Sequence, residues 1–211
     1  MDVVIVGGHG QIALRLERLL SGRGDRVRGV IRNPEHAADL ERAGAEAVIC
    51  DIESEELTGA VKGADAVVFA AGAGPGSGPE RKRTVDLGGA VKLVEAAEAN
   101  GIDRYVIVSS INADRPENWS DQMRPYFEAK AEADEHVAAS GLAYTIVRPG
   151  YLTDEPGTGL VAVGTSVPRG EVSRDDVAAV LAETLGADNT IGKGFDLVGG
   201  DTPVAEAVSA L

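Results

Sequence analysis

The chain has 211 residues but only one cysteine, Cys50, and few aromatic side chains. A single thiol excludes an intrachain disulfide and any multi-cysteine metal site, so we predict no metal centre. No apolar run approaches the roughly 18 residues that cross a bilayer. Met1 is followed by neither a basic segment nor a cleavage site. We therefore predict a cytoplasmic protein with no signal peptide and no membrane contact.

Positive charge is also scarce, with 20 Lys and Arg against 34 Asp and Glu and a formal net charge of −14. An acidic surface repels phosphate backbones, which argues against a nucleic-acid partner. We expect a small-molecule substrate and a monomer or homodimer. Glycine is abundant, with 27 residues dispersed among apolar runs, and this distribution indicates tight turns.

Short apolar runs alternate with segments of helical periodicity over residues 1–150. The predicted strands are Val3–Val6, Val27–Ile31, Ala47–Cys50, Ala66–Ala71, Tyr105–Val108 and Tyr144–Val147. The first predicted helix has Ile12, Leu16, Leu19 and Leu20 at helical spacing. The others begin near Pro34 or cover Glu53–Val61, about 80–99 and about 122–139. This rhythm predicts an α/β fold, a doubly wound parallel sheet with helices on both faces.

Residues 151–211 do not continue this alternation of strands and helices. We predict a helix capped by Ser173, a strand over Phe195–Val198, a terminal helix from Pro203, and no second sheet. The whole chain, 1–211, is therefore predicted to be one domain, in which 151–211 form a small cap on the substrate side. Residues 72–79 hold four glycines and two prolines. They are predicted to be a loop that acts as a lid over the cofactor.

A glycine-rich turn lies between the first strand and the first helix. Its residues are Gly7, Gly8, His9, Gly10, Gln11, Ile12 and Ala13, which satisfy G-x-G-x-x-A. Glycines at this spacing let backbone amides reach a pyrophosphate, and the helix N-terminus adds donors. The pattern predicts a dinucleotide site, although a plain strand–helix turn is the alternative. We expect His9 to neighbour the cofactor rather than act as a base, because no partner is evident.

The end of the second strand bears on the choice of cofactor. NAD-binding proteins place an acidic residue there for the ribose 2′-hydroxyl. Here Arg32 and Asn33 follow the strand, and no carboxylate occurs until Glu35. This pattern favours NADP (NADPH) over NAD, with Arg32 facing a 2′-phosphate and Asn33 assisting. The alternative is a solvent-exposed arginine at a strand end.

The ends of the third and fourth strands also belong to the predicted ligand crevice, because carboxyl ends of parallel strands line it. Asp51 and Ile52 follow the third strand, and the small residues Ala70, Ala71 and Gly72 follow the fourth. Asp51 is alternatively a cap for the helix predicted after it. Cys50 is interpreted as a buried small hydrophobe.

Tyr126 and Lys130 lie one turn apart on the helix predicted over about 122–139. The fifth predicted strand precedes this helix and ends in Ser109 and Ser110. A neighbouring ammonium favours the phenolate and lowers a tyrosine pKa from its ordinary value near ~10. Such a tyrosine exchanges a proton with a substrate oxygen, and a serine hydroxyl can bond the same oxygen. The alternative is a helix that only packs or binds cofactor.

The chain resembles the atypical short-chain dehydrogenases/reductases of the NAD(P)-binding, NmrA-like group over nearly its whole length. The matching stretches are residues 4–10, 30–34, 108–110, 144–150, 152–159, 173–178 and 195–198, together with Tyr126 and Lys130. The resemblance implies a Rossmann fold that binds NADP across the glycine turn. It also implies that Lys130 holds the nicotinamide ribose and that Tyr126 is the acid/base. The backbone of Pro149, Gly150, Tyr151 and Leu152 would flank the nicotinamide.

Three functions are compatible with this resemblance. The first is an NADP-dependent oxidoreductase that acts on a small carbonyl, quinone or flavin-like acceptor. The second is an NADP(H)-binding redox sensor without turnover, and the third is a small sugar epimerase or dehydratase. The Tyr126–Lys130 pair favours the first, because a sensor needs no acid/base pair.

Overall fold

The computed structural model describes residues 1–74 and 76–211. The strands in these ranges are β1 (Asp2–Val6), β2 (Arg26–Ile31), β3 (Glu46–Ile49), β4 (Ala66–Phe69), β5 (Arg104–Val108), β6 (Ala143–Pro149), β7 (Tyr151–Thr153), β8 (Leu160–Gly164), β9 (Glu171–Ser173), β10 (Lys193–Gly199) and β11 (Thr202–Pro203). The helices are α1 (Gln11–Gly22), α2 (Ala37–Arg42), α3 (Pro79–Arg81), α4 (Gly89–Asn100), α5 (Arg124–Ala139), α6 (Arg174–Thr184) and α7 (Val204–Ser209).

The main sheet has nine strands in the order β3-β2-β1-β4-β5-β6-β10-β8-β11. Pairing is parallel from β3 to β10, and β8 and β11 add antiparallel strands at one edge. The strand order reverses between β1 and β4, and ligands of open α/β sheets bind at such a switch point. The predicted doubly wound Rossmann-type fold is confirmed.

The apolar core forms two layers, one on each face of the sheet. On β1, Val3 and Ile5 pack into the layer covered by α1 and α6, whereas Val4 and Val6 pack into the layer covered by α4 and α5. This alternation follows from the two-residue period of a strand. Among the described residues, no helix is both long enough and apolar enough to cross a membrane.

The helix predicted over Glu53–Val61 is wrong. This segment forms consecutive turns, with isolated bonds from Glu55 N to Asp51 O and from Val61 N to Leu57 O. The segment is short, and Thr58-Gly59 in its middle has poor helix propensity, so a continuous helix does not propagate.

The C-terminal third holds more strand than predicted. The prediction that no second sheet forms is wrong, because β7 and β9 pair in parallel as a separate two-stranded sheet. These strands have three residues each, too few for an alternating pattern to be read. Ser173 caps α6 as predicted, since its side chain accepts a bond from Asp176 N.

The long helix predicted over 80–99 forms with an interruption. Residues Lys82–Gly88 are π-helical and join α3 to α4. The loop predicted over 72–79 includes Pro75, which lies outside the described residues. The described residues from Ala71 to Gly78 are neither helix nor strand, as expected.

Candidate cofactor and active site

The glycine turn is held closely against β2 and the end of β4. The backbone N–H groups of Gly7 and Gly8 both donate to Val30 O, at 3.2 and 3.0 Å. Gly7 has a φ of +87°, and a Cβ there would lie 2.7 Å from the backbone of Ala71. Gly10 precedes α1 without a side-chain cap, so first-turn N–H groups of α1 are available to an anion. The turn therefore fits a dinucleotide pyrophosphate.

A cavity of about 310 Å³ opens beside this turn at the carboxyl ends of β1 to β4. It has the size of a small ligand pocket, and it suits part of a dinucleotide. The predicted cofactor residues that line it are Gly7, His9, Gly10, Arg32, Asp51, Ile52, Ala70, Ala71 and Gly72. The residues that sequence reasoning did not assign to it are Val30, Ile31, His36, Cys50, Glu53, Ala73, Arg81 and Val85.

The remaining predicted residues lie outside the walls of this cavity. They are Gly8, Gln11, Ile12, Asn33, Lys130, Pro149, Gly150, Tyr151 and Leu152, together with Tyr126, Ser109 and Ser110. The Asn33 side chain instead accepts a bond from Glu35 N at 3.1 Å and caps the turn that precedes α2. Asp51 lines the cavity, and its Oδ1 accepts a bond from Glu53 N at 3.0 Å at the start of the turn segment, where the helix that it was predicted to cap does not form.

Arg32 shares a carboxylate with a second arginine. Glu53 Oε2 lies 3.3 Å from Arg32 Nη1 and 3.1 Å from Arg81 Nη2, and Thr84 Oγ1 donates to Glu53 Oε1 at 2.7 Å. The Thr84 bond and then the Arg81 contact lower the pKa of Glu53, which outweighs its desolvation. The expectation that no carboxylate competes for Arg32 is therefore wrong. Glu53 reaches Arg32 from the turn segment after β3, because the chain folds back there.

His9 also has a partner, contrary to expectation. Its Nε2 lies 2.8 Å from Asp39 Oδ2, and its ring stacks on His36 with centroids 3.7 Å apart. The hydrogen bond to His9 lowers the pKa of Asp39. Asp39 lies on α2, 30 positions after His9 and beyond both α1 and β2, so no local pattern links it to the glycine turn. Both imidazoles line the cavity.

Tyr126 and Lys130 lie in the first turns of α5. The Lys130 side chain is buried, and its Nζ lies 3.2 Å from Asp86 Oδ1 and donates to Val108 O at 3.2 Å. Burial favours the neutral amine, but Tyr126 and Asp86 favour the charged form more, so the pKa of Lys130 is raised. Lys130 is thus an ammonium held at the carboxyl end of β5. Asp86 was not identified from the sequence.

The two serines at the end of β5 differ in surroundings. Ser109 is buried, whereas Ser110 is half-buried and its Oγ makes a long bond of 3.4 Å to Ile111 O. Burial raises the pKa of Asp134 on α5, although Arg148, Ser109 and Lys130 favour its charged form. Ser109 therefore lies in the buried surroundings of Asp134, and Ser110 is the more accessible hydroxyl.

The segment Pro149–Leu152 leaves β6 at the same edge of the sheet. Gly150 N donates to Leu197 O at 2.8 Å, and a Cβ on Gly150 would lie 2.3 Å from Gly170 O. Tyr151 follows with its side chain largely exposed. The backbone is thus fixed beside the sheet edge, where the resemblance places the nicotinamide.

A family model of NAD(P)H-binding proteins matches residues 7–188. The chain belongs to this NAD(P)H-binding family. It is 46% identical over 214 residues to a Bacillus subtilis (strain 168) protein named uncharacterized sugar epimerase YhfK, and the match covers 100% of both chains. The resemblance to atypical short-chain dehydrogenase/reductase-like NAD(P)-binding proteins is confirmed.

Two solved structures share this fold and are similar to the chain over their whole or nearly whole length. One, from Bacillus halodurans, is named an NAD-dependent epimerase/dehydratase; it has a TM-score of 0.95, 39% identity and full coverage of both chains. The other is the oxidoreductase ylbE from Lactococcus lactis, with a TM-score of 0.89, 30% identity and coverage of 100% and 96%. The family is thus NAD(P)-binding and oxidoreductase-like, with epimerase-like members.

Proposed function

We propose that this protein is an NADP(H)-dependent oxidoreductase that reduces a small carbonyl, quinone or flavin-like acceptor. The observation that carries the proposal is the buried Lys130 ammonium at the end of β5, one helical turn from Tyr126. Lys130 Nζ reaches the carboxyl end of β5 at Val108 O, and β5 pairs with β4, whose carboxyl end borders the dinucleotide cavity. A tyrosine is one of the side chains that act as general acids, and a charged lysine beside it stabilises the phenolate that remains after proton transfer.

Bound NADPH would supply the hydride. The N–H groups of the glycine turn and the first turn of α1 would hold the pyrophosphate, and Lys130 would hold the nicotinamide ribose. Tyr126 would donate a proton to the substrate oxygen as the hydride arrives, and Ser110 would hydrogen-bond that oxygen. The resulting alkoxide is neutralised at the same atom, so no charge remains on the product.

The preference for NADP rests on two guanidinium groups at the cavity wall. Arg32 and Arg81 share one carboxylate, Glu53, so positive charge exceeds negative charge within this trio. A guanidinium has five N–H donors, and Glu53 accepts from only one or two on each arginine. Donors therefore remain for a 2′-phosphate, which an arginine binds well.

A flat acceptor is supported by aromatic side chains on α5 and in the segment before it. Trp119 and Phe127 stack with ring centroids 5.8 Å apart, and Tyr126 meets Phe127 edge-on at 5.3 Å. Aromatic faces of this kind bind planar rings by offset stacking. Quinones and flavins are planar, and they are therefore tested beside simple carbonyls.

The test is a screen of quinones, flavins and aldehydes with NADPH, followed by the absorbance of the nicotinamide. Tyr126→Phe should lower turnover of a carbonyl acceptor by about 10²- to 10⁴-fold and leave NADPH binding intact. A quinone should be less affected, because hydride transfer to it needs no obligatory proton donor. Tyr144→Phe is the matched control, since its hydroxyl bonds Gly192 O on the surface. Equal turnover of a carbonyl by the Tyr126→Phe variant and the parent protein would contradict the assignment.

Epimerisation is the second candidate, because the 46% identical relative is named a sugar epimerase. An epimerase regenerates its cofactor in each cycle, so it converts a sugar without net change in nicotinamide absorbance. Product analysis with a sugar panel and bound cofactor separates the two activities. Tight NADP(H) binding without turnover of any acceptor or sugar would favour the redox sensor.

A further inference from the structure

Asp86 is a buried carboxylate that the proposed chemistry does not use. It lies in the π-helical stretch Lys82–Gly88, and 1% of its surface is exposed. π-helical turns are rare and occur frequently at functional sites. A buried aspartate also carries a large desolvation cost, so its partners define what it does.

The two oxygens of Asp86 contact two different parts of the site. Oδ1 lies 3.2 Å from Lys130 Nζ on α5, and Oδ2 accepts a bond from Ala73 N at 3.0 Å. Ala73 lines the dinucleotide cavity, and so does Gly72, whose Cβ position would lie 3.3 Å from Asp86 Oδ1. One carboxylate thus connects the lysine of the Tyr–Lys pair to the backbone that forms the cavity wall.

The geometry at Lys130 limits where its ammonium can bind. An ammonium has three N–H donors. One is donated to the carbonyl of Val108 at 3.2 Å, and Asp86 Oδ1 lies 3.2 Å from the ammonium as an ion-pair partner. One donor direction remains for a further acceptor. Because the side chains of both ions are at most 5% exposed, their pairing is little screened by salt and fixes the direction of that donor.

We propose that Asp86 is a positioning residue. It orients the free N–H donor of Lys130 toward the nicotinamide ribose, and it connects Lys130 to the cavity wall at Ala73. The chemical purpose of this arrangement rests on the proposed function. The inference itself concerns cofactor binding, which is measured without a substrate. A failure to find turnover therefore leaves it testable.

The experiment measures the affinity for NADPH and for adenosine 2′,5′-bisphosphate, a fragment that lacks the nicotinamide half. Asp86→Asn keeps an acceptor for Ala73 N but removes the charge that holds Lys130. NADPH should bind at least about 10-fold more weakly, the scale of one charge-assisted hydrogen bond, and the fragment should bind as before. Glu135→Gln, an exposed carboxylate on α5, is the matched control.

A second variant guards against simple misfolding. Removing one partner of a buried ion pair is strongly destabilising, whereas replacing both by apolar residues is often neutral. The double variant Asp86→Leu, Lys130→Met should therefore unfold at a temperature close to that of the parent. It should still bind NADPH at least about 10-fold more weakly.

The outcomes separate a positioning role from a structural one. Parent-like NADPH affinity in the apolar double variant would show that the pair only stabilises the fold, and it would overturn the proposal. An equal loss for NADPH and for the fragment in Asp86→Asn would also overturn it, because the damage would then extend beyond the nicotinamide end.

Discussion

Glu17 on α1 should make the protein less stable as the pH rises. Its side chain is fully buried, and neither carboxyl oxygen has a hydrogen-bond partner among the described residues. Burial raises the pKa of Glu17 from 4.5 to about 8, and Arg18 opposes this only in part. The folded state therefore keeps a proton between about pH 4.5 and pH 8 that the unfolded chain releases.

The sign and size of the effect follow from proton linkage. Unfolding releases a proton in this window, so the free energy of unfolding falls as pH rises through it. At about 1.4 kcal/mol for each pH unit, the loss is about 3 kcal/mol at pH 7 and about 5 kcal/mol above pH 8. For a chain of this size, 3 kcal/mol corresponds to about 6–12 °C in Tm.

The assay is urea unfolding of the parent protein and Glu17→Gln at pH 6 and pH 8.5. The parent should lose more stability than the variant between these two values, because only the parent carries this titration. Other titrating groups are common to both proteins and cancel in the comparison. Glu98→Gln removes an exposed carboxylate from α4 and is the control. An identical pH dependence in the parent and Glu17→Gln would refute the reasoning.

Three further predictions concern the cofactor site. Arg32→Ala should weaken NADP(H) binding by about 10- to 150-fold and leave NAD(H) binding nearly unchanged, because one charge-assisted contact is lost. Calorimetric titration of both cofactors measures this change. Equal affinities of the parent protein for NADP(H) and NAD(H) would contradict the prediction. Glu53→Gln should strengthen NADP(H) binding several-fold, on the order of 1 kcal/mol, because it removes the anion between Arg32 and Arg81. Weaker binding in the same titration would contradict this and show that Glu53 positions the two arginines. Gly7→Ala should destabilise the fold by roughly 1–3 kcal/mol in urea unfolding, because its φ is +87° and its Cβ would meet Ala71. Gly22→Ala, whose Cβ would meet no atom within 4 Å, should be near neutral.

The sheet and the glycine turn could be predicted because their signals are local. Apolar runs such as Val3–Val6 and the spacing of Gly7, Gly8 and Gly10 each lie within a few residues of sequence. The partners of the site residues could not be predicted in this way. Glu53 reaches Arg32 across 21 residues, and Asp86 reaches Lys130 across 44 positions in the printed sequence. Such contacts depend on the order of the strands in the sheet, and the periodicity of apolar residues in the sequence does not predict them.

The overall acidity of the chain bears differently on nucleic acids and on a nucleotide. A net charge of −14 repels a long phosphate backbone over a wide surface, but that repulsion is screened within about 8–10 Å at physiological salt. A dinucleotide meets only the local charges of the cavity. There Arg32 and Arg81 match Glu53 and Asp51 in number, and Glu17 below the turn is neutral at pH 7, because burial raises its pKa to about 8. The N–H groups of the glycine turn therefore face a pyrophosphate without an opposing carboxylate from α1, so an acidic protein retains a site suited to an anionic cofactor.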